Sequence, residues 1–150
     1  MPGKSLNEYI VDLRELLQDH PQFNRLLLWQ EESADGALKF ALRQALDRYN
    51  YRIPPYGGGV DFTNFPADSL IIQLAASIVL EMVGVLRTRN SLNYSDAGLA
   101  IRDTEKAQEY RQWALQYKQE AVSDASAYKQ IKNLESILGS GGIGSSYSRM

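Results

Sequence analysis

The stretch DSLIIQLAASIVLEMVGVLRTR, from Asp68 to Arg89, limits the rest of the chain more than any other. Leu70, Ile71, Ile72, Leu74, Ala75, Ala76, Ile78, Val79, Leu80, Met82, Val83, Val85 and Leu86 occupy nearly the whole circumference of a helix drawn through it. At roughly 1.5 Å per residue such a helix is about 33 Å long. Its uninterrupted apolar runs are too short for a membrane span, and Gln73, Ser77 and Glu81 recur every four residues as a narrow polar stripe. A helix apolar on almost all sides must be buried on almost all sides. Two covers are open at this point: the remainder of the same chain, or a second subunit meeting the helix around Gln73, Ala76, Ser77, Glu81 and Val83.

The other helices supply part of that cover. Ser5 and Glu8 form a capping box before Leu6, Tyr9, Ile10, Leu13, Leu16 and Leu17, and Pro21 closes the first helix after His20. The apolar run Leu26, Leu27, Leu28, Trp29 is too short for periodicity to separate strand from helix turn. Ser33 is the expected N-cap of a second helix with a buried stripe of Ala34, Ala37, Leu38, Ala41, Leu42, Ala45, Leu46 and Tyr49. Its alanines predict a close-packed neighbour. A long loop with Pro54, Pro55 and Gly57 to Gly59 runs to Pro66. After the apolar helix, Asp96-Ala97-Gly98 is turn chemistry, and Leu99 and Ile101 alternate with Ala100 and Arg102, which predicts a small hairpin or extended loop. Asp103 or Thr104 caps a last helix whose stripe of Ala107, Tyr110, Ala114, Tyr117, Ala121, Ala125, Tyr128 and Ile131 steps by threes and fours. Gly139 is its expected end. The expected fold is all-α: a bundle of about four helices over residues 1–138, and an extended C-terminal arm over 139–150.

The arm raises the question of a nucleotide site, because Gly139, Gly141 and Gly144 satisfy G-x-G-x-x-G. That fingerprint needs a strand before it and a helix after it, so that a helix N-terminus receives the pyrophosphate. Here a helix precedes it and six residues follow, so the motif fails in context. What remains is a glycine-rich segment with Gly141, Gly142, Ile143, Ser145, Ser146 and Tyr147, the tyrosine a plausible anchor with an apolar ring and a polar tip. Elsewhere catalytic chemistry is sparse. The chain has no cysteine and one histidine, His20, which leaves a nucleophilic triad little to draw on. No metal or cofactor motif occurs, and Glu31, Glu32 and Asp35 read as acids favouring a helix N-terminus. Arg43, Arg48 and Arg52 lie near one side of the second helix, but a net charge of −2 argues against a nucleic-acid surface. The N-terminus lacks an apolar signal segment, which points to assembly in the cytoplasm.

Several short matches then coincide. Asn50 with Pro54-Pro55, and Asn64-Phe65-Pro66 before the apolar helix, are two of them. Arg89-Asn90-Ser91-Leu92-Asn93-Tyr94-Ser95-Asp96 is the most specific, followed by Gly98. Lys106, Tyr110 and Trp113, then Lys132-Asn133, Gly141-Gly142 and Ser145-Ser146-Tyr147, complete the set. In these residues, over roughly 33 to 147, the chain resembles the head–tail adaptor (neck or connector) proteins of tailed bacteriophages. It departs from them at Ala97, where a second glycine is usual, at Ser146, where an acid is usual, and in a longer loop between Pro55 and Phe65. The resemblance implies a structural virion protein without enzymatic activity or cofactor. Such adaptors form a dodecameric ring that joins the portal to the next neck or tail protein and lets DNA pass through its lumen without sequence-specific binding. The turn residues and the short alternating segment suggest that Arg89, Asn90, Leu92, Tyr94, Asp96 and Gly98 belong to a recognition loop, and the glycine-rich arm with Tyr147 is expected to dock on the portal. The competing expectation is a helical, ring-forming nucleic-acid-binding subunit of a DNA-packaging motor.

Overall fold

The computed structural model describes residues 4–20, 22, 31–56, 59–89, 93–96 and 99–140, with the backbone alone for 93–96, 99–104, 139 and 140. Within these residues the chain is an all-α bundle. Its elements are α1 (Leu6–Leu17), α2 (Asp35–Tyr51), α3 (Asp68–Arg89), the short strands β1 (Asn93–Asp96) and β2 (Leu99–Arg102), and α4 (Asp103–Ser140).

The Ser5–Glu8 capping box forms as expected: the Ser5 hydroxyl receives the Glu8 N–H, and the Glu8 carboxylate receives the Ser5 N–H at 2.6 Å. The helix ends at Leu17, before Pro21 can act, because Gln18 adopts a left-handed cap at φ 53°. Ser33 does not cap α2. The N-cap is Ala34, without a side-chain bond, and Ser33 instead donates its backbone N–H to Asp19. Of the expected α2 stripe, Leu38, Ala41, Leu42, Ala45 and Tyr49 are buried, Ala37 and Leu46 are half-buried, and Ala34 is exposed. The run Leu26 to Trp29 lies outside the described residues.

α3 has the bounds its composition predicts and packs against each of the other three helices. Its cover is therefore largely intramolecular. Leu70, Ile71, Leu74, Ala75, Ala76, Ser77, Ile78, Val79 and Leu80 are all buried by the chain itself. The last turns emerge, with Val85 47% and Leu86 58% exposed. Ser77 sits in the core because its hydroxyl is satisfied locally, donating to the Leu74 carbonyl at 2.7 Å.

Two polar devices fix the ends of α2. Arg14 of α1 is almost wholly buried. It binds Asp19 at 3.1 Å, Asp35 at 2.7 Å, Glu31 at 3.0 Å and the Ser33 carbonyl at 2.8 Å. Glu31 and Asp35 are thus ion-pair partners first and helix-dipole acids second. At the other end, buried Lys129 of α4 donates to the carbonyls of Tyr49 and Ile53 and lies 4.3 Å above the Tyr49 ring. The Tyr49 carbonyl belongs to the last turn of α2 and Ile53 lies two residues past it, while the Arg52 and Ile53 N–H groups both serve the Arg48 carbonyl, so Lys129 takes up an oxygen the helix end leaves over. The loop that follows is pinned by Asn50, whose amide gives to the Val60 carbonyl and takes from the Val60 N–H, as a strand neighbour would.

β1 and β2 pair antiparallel with Asp96 opposite Leu99, so the expected hairpin is present in the backbone. α4 then returns along α3. Gly84 is a point of close approach: a Cβ there would lie 3.2 Å from Arg111 Cγ and 3.4 Å from the Ala107 carbonyl. Ala107, Ala114, Ala121 and Ala125 form the buried line of α4, with Tyr110, Tyr117 and Tyr128 half-buried beside it. Ile131, expected in that line, is 56% exposed: at 100° per residue it has drifted off the face that carries the buried alanines. Nor does Gly139 end the helix, which continues to Ser140. Glycine weakens a helix interior by about 1 kcal/mol without forbidding it.

Candidate functional site

Two surfaces, at opposite ends of the bundle, carry apolar side chains that the described chain does not cover. The first is the free end of α4. Every side chain from Gln130 to Leu138 is exposed, and Ile131, Leu134 and Leu138 are 56%, 58% and 65% so. Ile137 is exposed as well. At 100° per residue, Ile131, Leu134 and Leu138 fall within roughly 60° of one another, and about a third of a turn from the buried alanine line. The stripe is thus a separate face and not a continuation of the core seam. Lys132 and Glu135 pair beside it at 2.9 Å.

The second surface is a groove of about 600 Å³ between the start of α2 and the last turns of α3. Ala37, Ile78, Met82, Val83, Val85 and Leu86 line it, and Glu81 and Arg89 stand on its rim. Of the residues expected at a subunit interface, Glu81 and Val83 belong to this groove. Gln73 is half-buried two turns away. Ala76 and Ser77 are 0% and 1% exposed inside the bundle, so they offer no surface to a neighbour.

An adjoining cleft of about 500 Å³ lies between α1, α3 and α4, lined by Leu17, Leu80, Tyr110, Trp113 and Tyr117. Glu32 closes one side of it. Arg87 of α3 ion-pairs with Glu32, Tyr110 donates to Glu32 Oε2 at 3.3 Å, and the Arg87 guanidinium lies 5.1 Å from the Tyr110 ring. Burial, then the Glu32 charge, pushes the Tyr110 hydroxyl above its ordinary range. The phenol donates to the same carboxylate that pairs with Arg87, which ties α3 and α4 to the segment before α2.

The recognition-loop residues divide. Arg89 is exposed at the end of α3; Tyr94 and Asp96 lie on β1, where only the backbone is described; Asn90, Leu92 and Gly98 lie outside the described residues. So do Gly141, Gly142, Ile143, Ser145, Ser146 and Tyr147 of the arm. Gly139 and Ser140, the first two residues of the expected arm, belong to α4. His20 lies 2.7 Å from the Glu15 carboxylate at the surface. Arg48 and Arg52 are interleaved with Asp47, so this part of α2 has no uniformly basic face. Among the described residues no group of three or more acids and histidines is placed to hold a metal ion.

The sequence reading missed the roles of Arg14, Asn50, Gly84 and Lys129. Gly84 carried a signal as a lone glycine inside an otherwise uniform helical pattern, and Asn50 was marked by its place before Pro54-Pro55 without its bond being readable. The other three depend on which carbonyl or carboxylate the fold brings near. The chain matches no protein-family model, no curated protein and no solved structure.

Proposed function

We propose that this chain is the ring-forming subunit of a phage head–tail adaptor, a structural virion protein that joins the portal to the next neck or tail component. The observation that carries the proposal is the projecting end of α4, which presents a helix with an apolar face to the outside and leads directly into the glycine-rich arm. A protein acting alone has little use for such a projection, whereas a joint between assemblies needs one. The motif resemblance supplies the particular joint, and the all-α bundle is of the kind that resemblance implies.

In this reading the ring is made of copies of the chain, DNA passes through its lumen, and assembly takes place in the host cytoplasm. No chemistry is performed and no cofactor or membrane is involved. The arm after Ser140 docks on the portal with Tyr147 as anchor. Ordering such a segment costs on the order of 1–2 kcal/mol per residue, so one arm docks weakly. Arms presented together by a ring dock at high effective concentration, and the joint becomes durable.

Purified portal-containing heads incubated with the full chain and with a chain truncated after Ser140 test this. The full chain is expected to sediment with the heads. The truncated chain is expected to keep its helical signal and stay in the supernatant. Equal recovery of both chains refutes the role of the arm, and recovery of neither refutes the adaptor reading. Salt-sensitive retention of DNA on a filter, with no portal binding, would favour the packaging-motor subunit instead.

A further inference from the structure

We infer that the pocket between the end of α2, the loop that follows it and α4 binds a single carboxylate carried on a segment of a partner protein. The inference goes beyond the adaptor reading and stands or falls without it.

The pocket holds about 400 Å³. Its described walls carry four donor side chains, Lys129, Lys132, Asn64 and Asn133, and no carboxylate. The larger cavities differ in this. Asp19, Glu32 and Glu120 line the cleft between α1, α3 and α4, and Glu32 and Glu81 the groove between α2 and α3. The sequence matches at Pro55, Asn64, Pro66, Lys132 and Asn133, far apart in the chain, all meet in this one pocket.

Lys129 is 7% exposed, and its partners are neutral: the carbonyls of Tyr49 and Ile53, and the face of the Tyr49 ring. No opposite charge offsets its burial, which pushes its pKa down. A buried ion held only by neutral groups is costly, and a counter-ion repays that cost. Asn64 spends its oxygen on the Asp61 N–H at 2.7 Å, which leaves its NH₂ to give. Asp61 itself is turned to Thr63 and the Asn64 N–H, and is not part of the wall. Lys132 is already paired with Glu135. Two lysines against one glutamate leave one positive charge, which suits one carboxylate and falls short of a row of phosphates.

The chain has no further acid to place here. The residues outside the described set include no aspartate or glutamate. Asp96 and Asp103, described by backbone alone, belong to the hairpin and the start of α4, and Asp103 is 26 residues, about 39 Å, from Lys129 along the helix. The carboxylate therefore comes from another molecule.

A capped pentapeptide with one central glutamate, and its glutamine twin, are titrated into the full chain while backbone amide resonances are followed by NMR. Shifts centred on residues 49–66 and 128–133 are expected, with the glutamate peptide binding at least tenfold more tightly than its twin. Equal affinities, or shifts centred elsewhere, overturn the inference. Lys129→Met should abolish the preference. Asn133→Ala, at an exposed position, should keep the wild-type melt and weaken the glutamate peptide at least threefold, so the test stands even where Lys129→Met fails to fold; unchanged affinity counts against the site. A short DNA duplex that gives the same shifts at lower concentration would assign the pocket to phosphate. A chain truncated after Ser140 that binds the glutamate peptide at least tenfold more tightly than the full chain would mean that the chain's own end fills the pocket. Either result overturns the partner carboxylate. Sedimentation with portal-containing heads is scored separately, and its failure beside a retained glutamate preference refutes the adaptor reading alone.

Discussion

Arg14 and Lys129 are charged groups in an alanine- and leucine-rich bundle, and each is kept there by oxygen partners from elsewhere in the chain. Removing Arg14 takes the guanidinium from the buried Asp19 carboxylate, which also accepts from the backbone N–H groups of Glu32 and Ser33. Arg14→Ala should therefore lower stability by about 3 kcal/mol, read as a fall in the urea midpoint. Arg14→Lys should recover only part of that, because an ammonium cannot reach three carboxylates and a carbonyl with one planar fork. Acid should act through a different set. The Tyr9 hydroxyl, then Lys4, hold Asp68 below the ordinary carboxylate range; Arg14 does so for Asp35, Thr63 and Asn64 for Asp61, and Ser5 for Glu8. For a carboxylate with a depressed folded value, the unfolded chain binds more protons in the window between the two values. Its stabilisation is thus complete above the ordinary value of about 4 and is lost as pH falls through the folded value. The melting temperature is expected to be insensitive to these groups between about pH 5 and 7 and to fall below about pH 4. Asp68→Asn should flatten that acid limb, and an unchanged limb would show that Asp68 does not contribute to it.

The helices were legible in the sequence to the extent that their apolar periodicity was unbroken. α3 has no polar residue wide enough to blur its ends, so Asp68 and Arg89 could be read directly. What periodicity does not report is where a neighbour stops. Ile131 continues the three-and-four spacing of α4 but has drifted off its buried face, and Ala76 reads the same whether its own chain or another covers it. Gly139 was misread for the opposite reason: a local stop signal was overridden in a helix already more than thirty residues long, where propagation is favourable. The expectation for the exposed end follows. A chain ending at Gln130 should lose helical signal in proportion to the missing turns while its melting temperature stays within a few degrees, since no buried residue is removed. At Gly84 the constraint is packing. Gly84→Ala gains helix propensity of about 1 kcal/mol against a tight contact with Arg111 Cγ, near the root of that side chain, and a close one with the Ala107 carbonyl, so the two should nearly offset and its effect should be small. Gly84→Leu should cost about 1–3 kcal/mol by forcing α3 and α4 apart. Thermal melts of the two variants check this, and equal effects would mean that the helices do not meet at Gly84.

The described molecule is a short bundle with a long fourth helix, and it leaves apolar side chains uncovered at both ends as well as along its sides, at Val11, Phe40, Trp113 and Leu115. That arrangement suits a subunit that meets a neighbour at each end, and the ring and the portal joint are the proposals built on it. The site was less legible than the fold because surfaces of this kind are defined by what fails to cover them, which no local pattern encodes. Sedimentation velocity of the chain mixed with isolated portal rings tests the central claim most directly. The adaptor account expects one boundary, faster than the portal alone, containing both proteins with many copies of this chain per portal. A portal boundary unchanged in rate, with this chain left behind as a slow monomer, would contradict it.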